Sequence, residues 1–248
     1  MKDPNHSIAG DIEASLSSEG FEAKHAVKLV NVSRTYEIDS RRIEALRSVD
    51  LVVDVGEYVA VHGPSGSGKT TLLNIIGGLD RPTSGKVFVM DVPLNDYDES
   101  FRANFRLINT GFIFQSYNLI STFTALENVM FPIQVTGAST SEARRRAVEL
   151  LQMVRMETRE DHLPWQLSSG EQQRVAIARA IANDPPLILA DEPTANLDVD
   201  SAASIRDLLS SLNTQGKTVI VMTHDEKIIR RDGAVSYRLD GGVLTRDV

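Results

Sequence analysis

The chain has 248 residues, of which 42% are hydrophobic and 24% are charged, with a formal net charge of -8 and no cysteine. This length can bury a substantial core, and the composition is that of an ordinary globular protein. The acidic balance lacks the basic footprint of a protein that binds nucleic acid, so no nucleic-acid partner is predicted. The absence of cysteine excludes disulfides and thiolate metal sites and fits a reducing cytoplasm. No apolar run approaches the ~20 residues of a membrane-spanning helix.

The first 25 residues have neither the basic start nor the apolar centre of a signal peptide, and we predict that they form a disordered tail. A single domain is predicted from residue 26 to residue 248. Its first apolar, β-rich segments are AVKLV, VDLVV and YVAVH. Turn residues separate them, including DVGE at 54–57, and this pattern predicts a sheet whose strands are joined by hairpins.

A glycine-rich stretch, GPSGSGKT, lies between the strand-like YVAVH and the helix-like TTLLNIIGGL. It fits the P-loop pattern, in which backbone amides and a helix N-terminus surround phosphate groups. Lys69 is expected to reach the β- and γ-phosphates and the Thr70 hydroxyl to bind magnesium, while Thr71 lies one turn further into the phosphate pocket. The predicted phosphate-site residues are Gly63, Ser65, Gly66, Gly68, Lys69, Thr70 and Thr71. We therefore predict that the protein binds a nucleoside triphosphate.

The middle of the chain changes from strand-like to helical periodicity. KVFVM and GFIF indicate two further strands, whereas apolar residues from 125 to 156 recur at helical spacing, most clearly in SEARRRAVELLQMVRM. We predict a mainly helical insert at about residues 118–165. Its three consecutive arginines, at 144 to 146, are typical of a solvated helix face rather than of a binding patch.

The segment LSSGEQQ, residues 167–173, indicates the start of a helix that continues through VAIARAIA. Ser168 and Glu171 form a capping-box pattern, in which the two side chains satisfy free backbone donors at the helix N-terminus. Such amides and the helix dipole can also attract an anion. The pattern therefore leaves two uses open, a plain cap or a cap that binds a phosphate.

Two carboxylates follow the apolar strand that is predicted by LILADEP at residues 187–193. Asp191 is predicted to hold the magnesium ion, generally through water. Glu192 is predicted to accept a proton from an attacking water or to orient it, a contribution of roughly 10²–10⁴ in rate. The P-loop in the same chain disfavours the alternative, which is a pair of solvated acids before a turn.

The remaining C-terminal segments continue the alternation of strands and helices. SAASIRDLLSSLN indicates a helix, TVIVMTH indicates a strand, and YRLDGGVLT indicates a hairpin. Together with the preceding elements they predict an α/β fold.

Four motifs occur in a fixed order along the chain: GPSGSGKTT, LSSGEQQRVAIARA, LILADEPTANLD and TVIVMTH. In this order they resemble the nucleotide-binding subunits of ATP-binding cassette (ABC) transporters, over essentially the whole chain from Val27 onward. The resemblance implies a P-loop NTPase core with an antiparallel β subdomain and an inserted α-helical subdomain. It also implies ATP hydrolysis, with ATP and Mg²⁺ as cofactors.

The resemblance assigns roles to four further residues. Gln115, after the strand GFIF, is implied to touch magnesium and the attacking water, and His224 is implied to contact the γ-phosphate. Asp198 in TANLD corresponds to an aspartate at the subunit boundary, with a helix N-cap as the alternative. Tyr36 in SRTYEID corresponds to the aromatic residue that stacks on adenine, with a plain strand aromatic as the alternative.

For LSSGEQQ the resemblance implies a ligand that comes from another chain. Ser168 and Gly170 would contact the γ-phosphate of a nucleotide held by the P-loop of a second copy, so that two copies close head to tail on two MgATP molecules. The usual motif has glycine and glutamine where this chain has Ser169 and Glu171. If position 169 requires a positive φ, its Cβ costs energy that glycine avoids, and reduced turnover is then expected.

The stretches GFIFQSYNLISTFTALENV and LLNIIGGLDRPTSG resemble the ATPases of lipoprotein-release and macrolide-efflux exporters. This implies a separate integral membrane permease as partner and a position on the inner, cytoplasmic face of the cell membrane. Three alternatives are a regulatory scaffold that recruits a membrane partner without transport, a DNA-repair or chromosome-structuring ATPase, and a soluble P-loop kinase. The short insert and the acidic charge disfavour the second alternative, and LSSGEQQ together with His224 disfavours the third.

Overall fold

The computed structural model describes residues 23–39 and 41–247. The predicted tail falls almost entirely outside these described residues, and the first strand begins at His25. The strands are β1 (His25–Ile38), β2 (Arg41–Asp54), β3 (Tyr58–His62), β4 (Ser84–Val89), β5 (Val92–Pro93), β6 (Thr110–Ile113), β7 (Leu187–Asp191), β8 (Thr218–Met222), β9 (Ala234–Asp240) and β10 (Val243–Arg246). The α-helices are α1 (Lys69–Ile76), α2 (Glu99–Asn109), α3 (Ala125–Val135), α4 (Thr140–Met153), α5 (Ser169–Ala180), α6 (Val199–Thr214) and α7 (Glu226–Ile229). Short 3-10 turns span Leu94–Asp96 and Pro164–Gln166.

The strands form two sheets. An antiparallel sheet has the order β2-β1-β4-β5, and a six-stranded sheet has the order β10-β9-β3-β8-β7-β6. In the second sheet the strands from β9 to β6 run parallel, and β10 pairs with β9 as an antiparallel hairpin. The predicted α/β core, the predicted antiparallel sheet near the N-terminus and the predicted C-terminal hairpin are therefore all present.

The central strands of the six-stranded sheet, β3, β8 and β7, are buried on both faces. Along β8, Val219 and Val221 pack into an apolar cluster with helices α3 to α6, whereas Ile220 and Met222 pack into a second cluster with α1 and the antiparallel sheet. All four side chains are fully buried. Parallel strands that are covered on both faces are continuous apolar runs in the sequence, which accounts for LILA and TVIVM.

The turn at residues 54–57 is not a hairpin, contrary to the prediction. β2 ends in the antiparallel sheet, and after the turn β3 enters the six-stranded sheet between β8 and β9. The Gly56 N–H donates to Thr218 Oγ1 at 2.9 Å and the Val219 N–H donates to the Glu57 carbonyl at 3.0 Å, so the turn is fixed to β8. The unbroken apolar run YVAV is typical of a central parallel strand, and this signal outweighs the turn residues before it.

Helices α3 and α4 lie within the range 118–165, where the sequence predicts a helical insert. Helix α2 lies before that range, and the sequence analysis did not predict it. The Asp98 side chain caps α2 by accepting from the Phe101 N–H at 2.9 Å, and Phe105 buries one face of the helix. The cap and the four-residue spacing of the two phenylalanines are the signals of this helix.

Across the residues described above, no helix has the combined length and hydropathy of a bilayer span.

The loop between β6 and α3 is closed by the fully buried side chain of Asn128. Its Oδ1 accepts from the Ile120 N–H at 2.8 Å, and its amide nitrogen lies 3.0–3.2 Å from the carbonyls of Ile120, Phe123 and Thr124. These groups would otherwise be backbone acceptors and donors without a partner in the protein interior. Asn128 therefore fixes the course of the loop relative to α3.

The last turn of α5 holds the beginning of the same loop. Arg179 donates from its two terminal nitrogens to the carbonyls of Asn118 at 2.6 Å and Tyr117 at 2.8 Å. Tyr117 and Asn118 have φ values of +60° and +49°, in a region that residues with a side chain rarely occupy. Burial lowers the pKa of Arg179. The helix thus uses one half-buried guanidinium group to stabilise a strained turn.

Candidate functional site

Three strands of the six-stranded sheet end at the same level. The register pairs Val61 of β3 and Asp191 of β7 with the same residue of β8, Met222. The glycine-rich loop, Glu192 and His224 follow these strand ends and surround a cavity of about 830 Å³. In open α/β sheets ligands bind beyond the carboxyl ends of the strands, and most of the predicted site residues meet at that place.

The glycine-rich loop folds around the ammonium group of Lys69. Its Nζ donates to the Gly63 carbonyl at 2.8 Å and lies 3.2 Å from His224 Nε2. Gly68, just before α1, has a φ of +107°, and a Cβ at this position would overlap the Ala45 carbonyl, so glycine is required where the loop enters the helix. The N-terminus of α1 lies at the cavity, where the helix dipole favours an anion.

A hydroxyl and a carboxylate meet in the wall of the cavity. Thr70 Oγ1 donates to Asp191 Oδ2 at 2.8 Å. Mg²⁺ prefers oxygen ligands of this kind, so the pair fits the predicted magnesium site. Burial raises the pKa of Asp191, although the Thr70 hydrogen bond and the Lys69 charge act in the opposite direction. A divalent cation beside Asp191 would offset the cost of burying its charge.

Glu192 follows β7 in a strained backbone conformation. Its φ is +46°, in the left-handed region, and its N–H donates to the Met222 carbonyl at 2.8 Å. The carboxylate accepts from the His224 backbone N–H at 3.2 Å. Burial raises the pKa of Glu192, although the His224 and Lys69 charges act in the opposite direction. A raised pKa brings the carboxylate closer to the value that suits a general base near neutral pH.

The His224 ring lies between two charged groups. Its Nε2 is 3.2 Å from Lys69 Nζ and 3.3 Å from Glu192 Oε1. One nitrogen cannot accept from the ammonium group and donate to the carboxylate at the same time. A ring with its proton on Nδ1 alone can accept from Lys69 at Nε2, whereas a ring that carries a proton on Nε2 can donate to Glu192. Because the side chain is 55% exposed, it can turn from these partners toward a bound group.

Asp225 fixes the loop after β8, and the sequence analysis did not identify it. Its carboxylate accepts from Arg206 at 2.8 Å and from Thr194 Oγ1 at 3.1 Å. Burial alone would raise the pKa of Asp225, but hydrogen bonds from the Lys227 N–H and Arg206 outweigh burial and lower it. Since Thr194 belongs to the segment after β7, Asp225 connects the segments that follow two neighbouring strands. The sequence offered one signal, an acid directly after TVIVMTH.

The predicted adenine-stacking residue, Tyr36, lies at the edge of the cavity beside Ile43. Its hydroxyl donates to Asp80 Oδ2 at 2.7 Å, and the Arg34 guanidinium group covers the ring at 4.4 Å from its centre. Arg34 also forms a two-point ion pair with Asp80, at 3.0 and 2.9 Å. Arg34 and Asp80 thus fix the orientation of the Tyr36 ring.

The cavity brings together most of the predicted site residues. Those that line it are Tyr36, Ser65, Gly66, Gly68, Lys69, Thr70, Thr71, Gln115, Asp191, Glu192 and His224. Gly63 contributes its carbonyl to Lys69 without lining the cavity of the described chain, and Ser168, Gly170 and Asp198 lie at the starts of α5 and α6 instead. The lining residues that the sequence analysis did not identify are Ile43, Glu44, Ala45, Thr194, Ala195 and Asp225. Three of these belong to β2, which meets the glycine-rich loop only in the folded chain.

The helix start predicted at Ser168 is a complete capping box, which confirms the prediction of a cap. Ser168 Oγ accepts from the Glu171 N–H at 3.3 Å, and the Glu171 carboxylate accepts from the Ser168 N–H at 2.8 Å. Glu171 also pairs with Arg159 at 3.0 Å. The hydrogen bond from the Ser168 backbone is the largest cause that lowers the pKa of Glu171. The cap is exposed at Ser168, so a ligand can still reach it.

The residues after Ser168 differ in their need for glycine. Ser169 is the first residue of α5 and does not have a positive φ, so the strain considered for serine at this position does not arise. Gly170 is buried against α6, where a Cβ would lie 2.5 Å from Ser201 Oγ. Asp198 caps α6 by accepting from the Ser201 N–H at 2.8 Å. This cap corresponds to the alternative for Asp198, and its place at a subunit boundary stays a prediction.

The sequence profile of the ABC transporter family matches residues 46–195. An ABC transporter ATP-binding protein of Methanocaldococcus jannaschii, MJ0796, is 49% identical over 88% of this chain and 94% of its own length. A solved structure of MJ0796, described as a dimeric post-hydrolysis state bound to ADP and Pi, has a TM-score of 0.84 at 46% identity and covers 89% of this chain and 97% of that one. This chain belongs to the ABC transporter family.

Two further ABC relatives carry more specific names. The lipoprotein-releasing system ATP-binding protein LolD of Saccharophagus degradans is 43% identical over 89% of this chain and 96% of its own length. The macrolide export ATP-binding/permease protein MacB of Hyphomonas neptunium is 42% identical over 88% of this chain and 34% of its own length. The comparisons confirm the predicted family, the P-loop ABC ATPase fold and the prediction of an ATPase that uses ATP and Mg²⁺.

The burial of Glu192 predicts a pH-dependent gain in stability for the variant Glu192→Gln. Because folding raises the pKa of Glu192, wild-type protein loses stability as the pH rises from the ordinary value of 4.5 through the folded value. Glutamine has no charge to bury, so the variant without nucleotide should exceed wild type in free energy of unfolding most clearly above neutral pH.

Denaturant unfolding followed by circular dichroism, at several pH values without nucleotide or magnesium, measures this difference. Glu44→Gln is the matched control, since it changes an exposed glutamate that lines the same cavity. If Glu192→Gln changes the free energy of unfolding equally at acidic and alkaline pH, packing and not charge burial is the cause.

Proposed function

We propose that this chain is the ATP-hydrolysing subunit of an ABC exporter of the lipoprotein-release or macrolide-efflux type. The observation that carries the proposal is the convergence of Lys69, Thr70, Asp191, Glu192 and His224 on one cavity at the ends of parallel strands. A cavity with these groups is suited to phosphoryl transfer, in which catalysis is mostly positioning and charge stabilisation. The names of the relatives LolD and MacB support the exporter class.

Some residues of the cavity stabilise charge on the phosphates, and others transfer or donate protons. Lys69 neutralises charge on the β- and γ-phosphates, and the oxygens of Thr70 and Asp191 would hold a magnesium ion. Magnesium, when bound, neutralises further phosphoryl charge. Glu192 accepts the proton of the attacking water, and His224 leaves its contacts with Lys69 and Glu192 to donate to the γ-phosphate.

The second half of each site is proposed to come from a second copy of the chain. Ser168 and Gly170 lie outside the cavity of their own chain, at the N-terminus of a helix that is exposed at Ser168, where amides and the dipole favour an anion. In a head-to-tail pair this terminus faces the γ-phosphate held by the other P-loop, with Asp198 at the boundary, and two MgATP molecules are enclosed. The dimeric structure of MJ0796 with ADP and Pi supports this arrangement.

The separate permease is proposed to dock in a groove of about 420 Å³ beside the loop after β6. Leu79 and Phe131 are each 44% exposed and line the same groove, and grouped exposed apolar side chains mark sites of interaction with partners. Phe114 lines the groove while the next residue, Gln115, lines the cavity, so a partner in the groove contacts the segment that reaches magnesium and the attacking water. Docking on the permease would hold the chain at the inner face of the cell membrane.

Glu192→Gln is expected to bind ATP with nearly unchanged affinity but to hydrolyse it about 10²–10⁴ times more slowly, because the proton acceptor is lost. The variant should then accumulate as an ATP-dependent dimer. Phosphate release measures the rate, and multi-angle light scattering with MgATP measures the dimer. Turnover near that of wild type would remove Glu192 from the role of base.

Ser168→Arg is expected to prevent ATP-driven dimerisation, because a bulky cation replaces the hydroxyl that faces the other subunit's nucleotide. ATP binding to the monomer should remain, since Ser168 does not line the cavity of its own chain. The matched control is Ser139→Arg, because Ser139 also caps a helix by accepting from a glutamate N–H three residues later. Light scattering with MgATP, with both variants made in the Glu192→Gln protein, measures the dimer. Equally stable dimers of Ser168→Arg and Ser139→Arg would exclude the cross-subunit role of Ser168.

Tyr36→Ala is expected to weaken ATP binding about 5- to 150-fold, since stacking of a base on an aromatic ring is worth ~1–3 kcal/mol. Tyr36→Phe keeps the ring, and Asp80→Asn, which weakens the contacts that orient the ring, should lie between the two. Displacement of a fluorescent nucleotide measures the affinities. Inorganic tripolyphosphate is the control ligand, because it has no base; if Tyr36→Ala weakens both ligands equally, Tyr36 does not bind adenine.

A further inference from the structure

Two large apolar side chains are far more exposed than all others in the described parts of the chain. Trp165 and Val199 are each 75% exposed, whereas the other exposed large apolar side chains do not exceed 48%. Tryptophan is costly to leave in water and is enriched at the centres of protein interfaces, where it carries much of the binding energy. A partner that covers Trp165 is therefore expected.

Both side chains lie beside the segments that the proposed function assigns to the boundary between two copies. Trp165 belongs to the 3-10 turn Pro164–Gln166 and is within roughly 11 Å of Ser168 along the chain. Val199 is the first residue of α6, directly after Asp198. The close approach of Gly170 to Ser201 brings the starts of α5 and α6 together at one edge, and Trp165 and Val199 belong to the segments beside these two starts.

A second copy offers an apolar surface at the matching place. In a head-to-tail pair the start of α5 faces the cavity of the other subunit, and the residues just before Ser168 face the rim of that cavity. Ile43 lines the cavity and is 48% exposed, so the rim carries an apolar side chain for a tryptophan to cover. Because the pair is two-fold symmetric, this contact occurs twice, once for each nucleotide.

We propose that Trp165 is an interface anchor which a second copy of this chain buries in the ATP-bound pair, with Val199 at the same edge. The inference rests on the proposed head-to-tail pairing and adds a contact outside the phosphate-binding segments. Such an anchor holds the two subunits together by apolar burial, whereas Ser168 and Gly170 respond to the nucleotide. Trp165 therefore determines how tightly the pair closes, and not whether nucleotide binds.

The chain contains a single tryptophan, so its intrinsic fluorescence reports on this residue alone. The full-length chain with Glu192→Gln is titrated with MgATP while emission wavelength, acrylamide quenching and light scattering are recorded. The expected result is a blue shift and reduced quenching that follow dimer formation, and neither change when Ser168→Arg is added. A dimer whose tryptophan stays fully quenchable would overturn the inference and leave the proposed function intact. If no dimer forms at all, the pairing itself fails and the inference fails with it.

Substitution tests the energetic role of the side chain. Trp165→Ala should weaken ATP-driven dimerisation about tenfold or more, whereas Trp165→Phe should retain most of it. Binding of a fluorescent nucleotide to the monomer should be the same in both. Val52→Ala, which removes another exposed apolar side chain but from β2 of the antiparallel sheet, is the control. Equal dimerisation of Trp165→Ala and Val52→Ala, or protection of Trp165 only when permease-containing vesicles are added, would assign the residue to another partner and overturn the inference.

Discussion

The parallel register of β3, β8 and β7 is the constraint on which the site depends. Because Val61 and Asp191 pair with the same residue of β8, the three chain segments that leave these strands start at one level. The P-loop, Glu192 and His224 can then meet without long loops. The register is in turn fixed by burial on both faces of the sheet, where a shift by one residue would exchange the side chains of two separate apolar clusters.

The side chains that meet at these strand ends are arranged in a way that lowers the stability of the unliganded protein. Asp191 and Glu192 are carboxylates whose pKa values are raised by burial, and Glu192 also has a left-handed backbone. His224 Nε2 lies beside both Lys69 and Glu192 but cannot accept from one and donate to the other at the same time. The buried central strands supply the stability that offsets these costs. A bound cation would offset the burial of the Asp191 charge, and phosphates would give Lys69 and His224 new hydrogen-bond acceptors. The arrangement that binds the cation and phosphates therefore also destabilises the unliganded protein.

The sequence predicted the parts of the site that are local. A P-loop needs its residues in one short segment between a strand and a helix, and the capping box at Ser168 is complete within four residues, so both could be recognised from a few letters. The family resemblance added Gln115 and His224, which lie at strand ends with no local pattern of their own.

The parts that the sequence did not predict are contacts between distant segments. The support of Tyr36 by Arg34 and Asp80 joins residues 46 positions apart, and Asp225 joins two strands through Thr194. The crossing of the chain between sheets at 54–57 was mistaken for a hairpin because turn residues mark a change of direction without stating which sheet comes next.

In the proposed pair, the two ends of helix α5 lie near two different nucleotide-binding sites. Its start at Ser168 faces the nucleotide of the other subunit in the proposed pair, and its end at Arg179 holds the turn at Tyr117 and Asn118, just after Gln115 of its own site. Twelve helical residues span about 18 Å and are too stiff to absorb a displacement. In such a pair the docking groove of each subunit would therefore respond to the nucleotide bound by the opposite subunit as well as to its own. The two grooves of the pair would then be coupled even when a single site holds nucleotide.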